Sequence, residues 1–252
     1  MSPEMLIFAA LVTPLVTLGL IYVLGRAPDL REGATLVGAA TLFFFVIQIA
    51  LAVAGDPSGV ATREFAVTPA IGDAKPLTFA FSAEPLGALF ALVASGLWIV
   101  NSLYSIGYMR GNRERNQTRF YMCFAVALFG AMGVALSGNL FTLFVFYEVL
   151  TLSTYPLVAH KGDAAAQRGA RIYLMTLLGT SIGLLLVAVV WTYFLAGSLD
   201  FVPGGLLSAS AASGALSTGV ASALLLLFAF GVGKAALMPF HFWLPNAMVA
   251  PT

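Results

Sequence analysis

Apolar residues in this chain come in long runs separated by short polar connections. A bilayer core takes roughly 20 apolar residues per helix, and about seven stretches reach that length: 5–24, 34–54, 85–108, 120–136, 140–159, 172–196 and 219–238. Three connections, "GRAPDLREG", "MRGNRERNQTR" and "HKGDAAAQRGAR", are short and basic. The connection between the second and third runs is longer, and its "REFAVT" and "LTFAFS" alternate as the two arms of a small β-hairpin would. The segment before the last run, "GSLDFVPGGLLSASAASGALSTG", is rich in Gly and Ser and almost uncharged. No short repeat or soluble domain interrupts the pattern. The fold predicted is an all-α integral membrane domain over residues 1–252. Three N-terminal helices fill 1–119, and a second group begins at 120.

Composition agrees. Of 252 residues, 60% are hydrophobic and only 9% charged, where a soluble domain is nearer a quarter. Mean hydropathy is +0.95. A net charge of +1 gives no reason to expect a nucleic-acid partner. The single Cys123 excludes an internal disulfide and a Cys-rich metal site. Glu4 stands where a signal peptide carries positive charge, so the first run reads as a retained span. There is no CxxC, no GxGxxG and no paired-His spacing, so no cofactor, metal or hydrolytic centre is expected.

The charges change the picture further. Nine of the twelve Lys and Arg residues fall in the three basic connections: Arg26 and Arg31, then Arg110, Arg113, Arg115 and Arg119, then Lys161, Arg168 and Arg171. Arg63 and Lys75 lie in the connections of the opposite set. The positive-inside rule puts the basic loops in the cytoplasm and the N-terminus outside, in a bacterial cytoplasmic membrane. Ten of the eleven acids also fall in connections or at helix ends. Two charges are left over, Glu148 in "NLFTLFVFYEVLTLSTYPLV" and Lys234 in "LLLLFAFGVGKAALMPFHFWLP".

Glu148 lies roughly 14 Å in from Asn139, near mid-bilayer, where a charge costs about 2.5–3.5 kcal/mol and so faces the protein interior. Thr151 and Tyr155, three and seven residues on, share its helix face. Lys234 falls toward the cytoplasmic end of the last run. Burial and mutual attraction pull the ionisation of such a pair in opposite directions, so it can hold or release a proton. The residues alone leave two readings open, a proton relay and a static salt bridge between two helices. Pro239 and Pro245 predict a break in the last helix. A broken helix at membrane depth lines a wet cavity or is buried in protein, with His241 and Asn246 as polar lining. The plainer alternative is a helix ending at the interface in an aromatic belt. His160 reads as a capping or surface residue at a helix end, and Thr176, Thr180 and Gly183 as a packing face of the sixth run.

The two stretches "NLFTLFVFYEVLTLSTYPLV" and "GKAALMPFHFWLPNAMVAPT" together resemble the antiporter-like subunits shared by complex I (the L/M/N-type subunits of NADH:quinone oxidoreductase) and the Mrp cation/proton antiporters. The second stretch is most similar to Mrp D-type subunits. The resemblance covers the chain, most sharply residues 137–252. It implies the N-terminal part of a fold of about fourteen helices built from inverted repeats. It also implies that Glu148 and Lys234 are a proton-relay pair. Thr151, Tyr155, His241 and Asn246 would line the path, and Pro239 and Pro245 would mark a discontinuous seventh helix. Many complex I relatives carry Asp and His where this chain has Asn246 and Met248. Family members continue past the position of Thr252 with "PVSALL"-like sequence, so the chain is expected to be a fragment. The implied partners are the lipid bilayer, other subunits of a multisubunit membrane complex, and protons, alone or in exchange for Na+. Relatives also serve redox-driven NADH:quinone oxidoreductases and hydrogenases, and inorganic-carbon uptake, where the charge pair would be structural. No bond-making chemistry is assigned to this chain.

Overall fold

A computed structural model describes residues 2–56, 60–61, 65–68, 75–208, 210, 216–248 and 250. Six helices in it are long and apolar enough to cross a membrane. Helix α1 is Pro3–Val23, and the Ser2 side chain accepts a hydrogen bond from the Met5 amide at its start. Helix α2 is Pro28–Gly55 and α3 is Pro85–Gly111, each opening on a proline, whose missing N–H is no loss in a first turn. Helix α4 is Gln117–Ala135 and α5 is Leu140–Val158. Helix α6, Ala164–Thr180, runs through a five-residue π turn at Ser181–Leu185 into α7, Leu186–Ala196, and together they form one span. Gly197, at φ 70°, ends it in the left-handed conformation that glycine favours.

The second span starts earlier than the hydropathy suggests. Asp29, Arg31 and Glu32 look like loop residues in sequence, yet they occupy the first turns of α2, where Arg31 and Glu32 are buried. Glu32 receives Arg31 and Arg110, and Arg31 also donates to Gln117 and Thr118. The Arg31 guanidinium lies 5.0 Å from the centre of the Tyr121 ring. Glu148 and Lys234 are therefore not the only charges withdrawn from water. This network joins α2, α3 and α4.

Helices α1 to α4 share one core around Ile7, Ile21, Leu42, Val46, Trp98 and Met132. Close approach needs missing side chains. A Cβ on Gly38 would lie 2.1 Å from Thr17 Oγ1 of α1, and one on Gly133 would lie 1.9 Å from the Phe146 ring of α5. Outward positions such as Phe8, Leu86, Phe194 and Leu225 are apolar and exposed, as a face toward hydrocarbon requires. The chain is a multi-pass membrane protein.

The predicted hairpin is present as four two-residue strands between α2 and α3. Strand β1 (Val60–Ala61) pairs with β4 (Ser82–Ala83), and β2 (Phe65–Ala66) pairs with β3 (Thr78–Phe79), both antiparallel. Asn139 donates to the Thr78 carbonyl and accepts from the Thr142 amide, so one side chain caps α5 and anchors the hairpin. Lys75 reaches Asp200 at 2.8 Å, and the Tyr193 hydroxyl donates to the Lys75 carbonyl. At the opposite end Thr118 donates to the Gly25 carbonyl, and Arg119 to that of His160. The three basic connections thus share one end of the bundle and the hairpin lies at the other.

The seventh run departs from expectation in length. Helix α8 is Thr218–Gly231, too short to span alone, and it stops well before the prolines. Short 3₁₀ turns follow at Gly233–Ala235 and Phe240–Phe242, and then the one-turn helix α9, Trp243–Ala247.

Candidate functional site

The break sits at Lys234 itself. Helix α8 ends at Gly231, and Val232 leaves helical geometry at φ −78° and ψ 66°. A packing constraint fixes the place. A Cβ on Gly231 would lie 2.6 Å from the Leu185 amide nitrogen, in the π turn of the sixth span, and one on Gly233 would lie 2.1 Å from Thr180 Oγ1. Two glycines thus let the interrupted strand of chain lie directly on the sixth span. The π turn is the matching irregularity there, a feature common where helices serve function. Thr176 and Thr180 are buried on that face, as packing residues should be, while Gly183 has open space beside it. Pro239 and Pro245 lie five and eleven residues beyond Lys234 and are exposed. They keep the chain from resuming a long helix but do not start the interruption.

From the break, Lys234 turns toward α5. Its Nζ donates to the Tyr147 carbonyl at 3.1 Å and to the Thr151 hydroxyl, and it stands 3.6 Å above the centre of the Tyr147 ring. Its backbone amide donates to the Tyr147 hydroxyl at 3.2 Å. One ammonium therefore has two oxygen acceptors and an aromatic face. A ring face is worth about 0.5–2 kcal/mol to a cation, more as water is removed.

Glu148 is differently placed. Both of its carboxylate oxygens are buried, and neither has a hydrogen-bond partner among the described residues. No hydrogen bond joins Glu148 to Lys234 among the described residues. A static salt bridge is not what the geometry contains. Leaving an acceptor buried and unmade is unfavourable by about 1–3 kcal/mol, and by more when it is charged. Such an orphan in the middle of a span is a feature to be explained by function.

Of the other residues singled out in sequence, Thr151 is fully buried and belongs to the lysine cradle, with its hydroxyl also bonded to the Tyr147 carbonyl. Tyr155 lies two turns beyond Glu148 along α5, packed beside Val158 and Tyr173 at the basic end. No hydrogen bond joins His241 or Asn246 to Glu148 or Lys234 among the described residues. His241 is exposed in the second 3₁₀ turn, and Asn246 donates to the Phe242 carbonyl of its own turn.

Two residues escaped the sequence reading. Tyr147 supplies three of the contacts to Lys234. Trp243 donates its indole N–H to the Gly233 carbonyl at 2.9 Å and packs edge-on against Tyr173, 5.5 Å between ring centres. It thereby satisfies a carbonyl freed by the break, and Tyr173 in turn shares a 2.6 Å hydrogen bond with Thr154 of α5. His160, read as a surface or capping residue, is in fact 4% exposed. The α5–α6 turn folds its ring against Phe120 of α4, with centroids 5.6 Å apart.

The family of NADH:quinone oxidoreductase/Mrp antiporter transmembrane proteins has a model that matches residues 137–252, and this part of the chain belongs to that family. The matched region carries α5, the π turn, the break and Lys234. Among curated relatives, NAD(P)H-quinone oxidoreductase chain 5 of Synechocystis sp. is 31% identical over 180 residues, covering 70% of this chain and 26% of that protein. The putative antiporter subunit mnhA2 of Staphylococcus haemolyticus is 32% identical over 175 residues, covering 68% of this chain and 21% of that protein. The chain thus spans about a quarter of the length of these relatives. The Mrp complex from Dietzia sp. contains a chain with the same fold, at a TM-score of 0.78 and 21% identity, covering 99% of this chain and 25% of that one.

Proposed function

We propose that this chain forms part of a proton-translocating, antiporter-like membrane subunit in which Glu148 and Lys234 pass a proton. The observation that carries the reading is the unpartnered buried carboxylate of Glu148 beside a lysine held at a helix break. A lysine on a flexible stem, bonded to neutral acceptors and within the field of a carboxylate, has two places to be. Moving toward Glu148 pairs the two charges, and moving back to Thr151 and Tyr147 separates them. Each movement changes which group holds the proton more readily. Break, cradle and orphan acid together make a gate for one step of a longer path. The basic end faces the cytoplasm in this account and the N-terminus lies outside, in a bacterial cytoplasmic membrane.

The subunit works within a multisubunit complex of the Mrp type, exchanging protons for Na+ or another monovalent cation. The likeness to mnhA2 favours this reading, and the likeness to NAD(P)H-quinone oxidoreductase chain 5 favours a second, a redox-driven proton pump. Everted vesicles carrying the full-length protein with its complex separate them. Antiport gives proton movement that follows an imposed Na+ gradient without an electron donor. A redox-driven pump gives movement that needs the donor and ignores Na+. Movement under neither condition would remove both readings and leave a structural role for the charge pair.

A further inference from the structure

The basic end of the bundle carries a feature that proton transfer at Lys234 does not use. A cavity of about 700 Å³ opens between the α3–α4 connection, α4 and the start of α6. Arg113, Arg115, Arg119, Lys161 and Arg171 line it, with Glu114 as the only acid among the lining residues. None of the five cations is in an ion pair among the described residues, in contrast to Arg31 and Arg110 nearby. His160 also lines the cavity, more than nine-tenths buried, and neither ring nitrogen has a hydrogen bond of ordinary geometry among the described residues, although the Arg115 backbone is near enough to act on the ring.

Cations that only set topology would be expected to spread over the loop surface in water. These converge on one concavity, and beside it lies a buried imidazole whose ring nitrogens make no hydrogen bond of ordinary geometry among the described residues. Buried polar groups without partners are rare, and each calls for an unseen partner or a role. A group that suits several guanidinium forks, an ammonium and an imidazole N–H at once is a compact oxyanion with several acceptor oxygens. The location narrows the choice. The cavity lies where α4 begins, α5 ends and α6 begins, which in a membrane is the level of the phosphate groups, and basic pockets between spans suit anionic head groups.

We propose that this cavity is a phosphate-binding site, taking the phosphodiester of an anionic phospholipid or free inorganic phosphate. Arg113, Arg115, Lys161 and Arg171 are exposed at its rim and supply charge, while Arg119 is held by its bond to the His160 carbonyl at 3.2 Å. His160 is the buried histidine of the lining and offers the single N–H of a neutral ring. Burial, and then the charge of Arg119, hold its pKa below the usual histidine value, against smaller opposing effects from Glu114 and the Arg115 backbone.

The test uses the full-length protein in phosphatidylcholine nanodiscs, with and without phosphatidylglycerol, and a variant carrying Arg115→Gln, Lys161→Gln and Arg171→Gln. These three side chains are exposed, so the variant should fold. Native mass spectrometry should show phosphatidylglycerol retained over phosphatidylcholine by the unaltered protein, and retained about tenfold less, or weaker still, by the variant. A second arm titrates inorganic phosphate and follows the ¹⁵N resonances of His160. Displacement of the lipid by millimolar phosphate assigns the site to free phosphate, and resistance to it assigns the site to the lipid. Shifts of His160 in either arm support the site. No preference for phosphatidylglycerol and no response to phosphate would overturn the proposal, as would equal binding by the variant.

Discussion

Lys234 stands over the ring of Tyr147, with Nζ 3.6 Å from its centre, and not on the carboxylate of Glu148. The residue next to the expected partner holds the lysine. In the proposed gate the aromatic ring takes part, and its role is separable from that of the hydroxyl.

Tyr147→Phe removes only the acceptor of the Lys234 amide and should be mild, about 0.5–1.5 kcal/mol of stability with transport retained. Tyr147→Leu also removes the aromatic face, worth about 0.5–2 kcal/mol to the ammonium, and should change the pH at which transport is half-maximal. Proton uptake by vesicles measured against pH distinguishes the two. Equal profiles for Phe and Leu would show that the ring plays no part.

The break depends on the absence of two β-carbons. Gly231→Ala sets a methyl against the backbone of the π turn, which cannot move aside, and should destabilise by about 1–3 kcal/mol. Gly233→Ala meets a side chain, Thr180 Oγ1, and Thr180→Ala in the same protein should restore most of the loss. Thermal denaturation in detergent of the two single variants and the pair reads this directly. Additive losses in the Gly233→Ala, Thr180→Ala pair would argue against the contact.

Glu32→Ala leaves the buried Arg31 guanidinium without its carboxylate and should cost about 3–5 kcal/mol. Asp29 contacts Arg110 from an exposed position, so Asp29→Ala should change little. Chemical denaturation monitored by tryptophan fluorescence is sufficient to compare them.

His160 should make stability depend on pH. Its pKa in the folded protein is lowered, chiefly by burial and then by Arg119, while Glu114 and the Arg115 backbone oppose; Arg113, Arg115, Lys161 and Arg171 also face the cavity. The unfolded chain therefore binds the proton more readily. The stability contribution is complete above the ordinary histidine range and is lost as pH falls through that range toward the lowered folded value. His160→Gln should flatten this part of the stability profile. An anion in the cavity should do so as well, by favouring the charged ring.

Asp200 should act in the same direction at lower pH. Burial alone would raise its pKa, but the Lys75 and Ser198 hydrogen bonds and the Lys75 charge outweigh it and leave the value lowered. Stability from this contact is present above the ordinary carboxylate range and is lost as pH falls through the folded value. Lys75→Met should remove that acid-side loss, as read from denaturation midpoints between neutral and acid pH.

Much of this fold was legible because hydrocarbon enforces contrast. A charge in an apolar run stands out, so Glu148 and Lys234 could be found without a structure, and the sorting of basic loops to one end followed from counting. The misses arose where contrast is absent. Tyr147 is one aromatic among many in the spans, and its only signal was a hydroxyl beside Glu148. The prolines drew attention away from "GVGK", where Gly231 and Gly233 flank the true interruption. The start of α2 was hidden because Arg31 and Glu32 neutralise each other in the interior, which a hydropathy sum cannot register, although Pro28 marked the first turn. Nothing local in "SIGLL" announces a π turn; it is set by the chain packed against it. His160 was misplaced because burial of a turn depends on its neighbour, here Phe120.

The central claim is that Glu148 and Lys234 carry protons and do more than hold two helices together. Its most direct test is proton uptake by vesicles containing the full-length complex with Glu148→Gln or Lys234→Ala, after confirming that each variant assembles. Transport should fall by about tenfold or more in both, as expected when a required proton carrier is lost. Normal assembly with full transport in both variants would contradict the account.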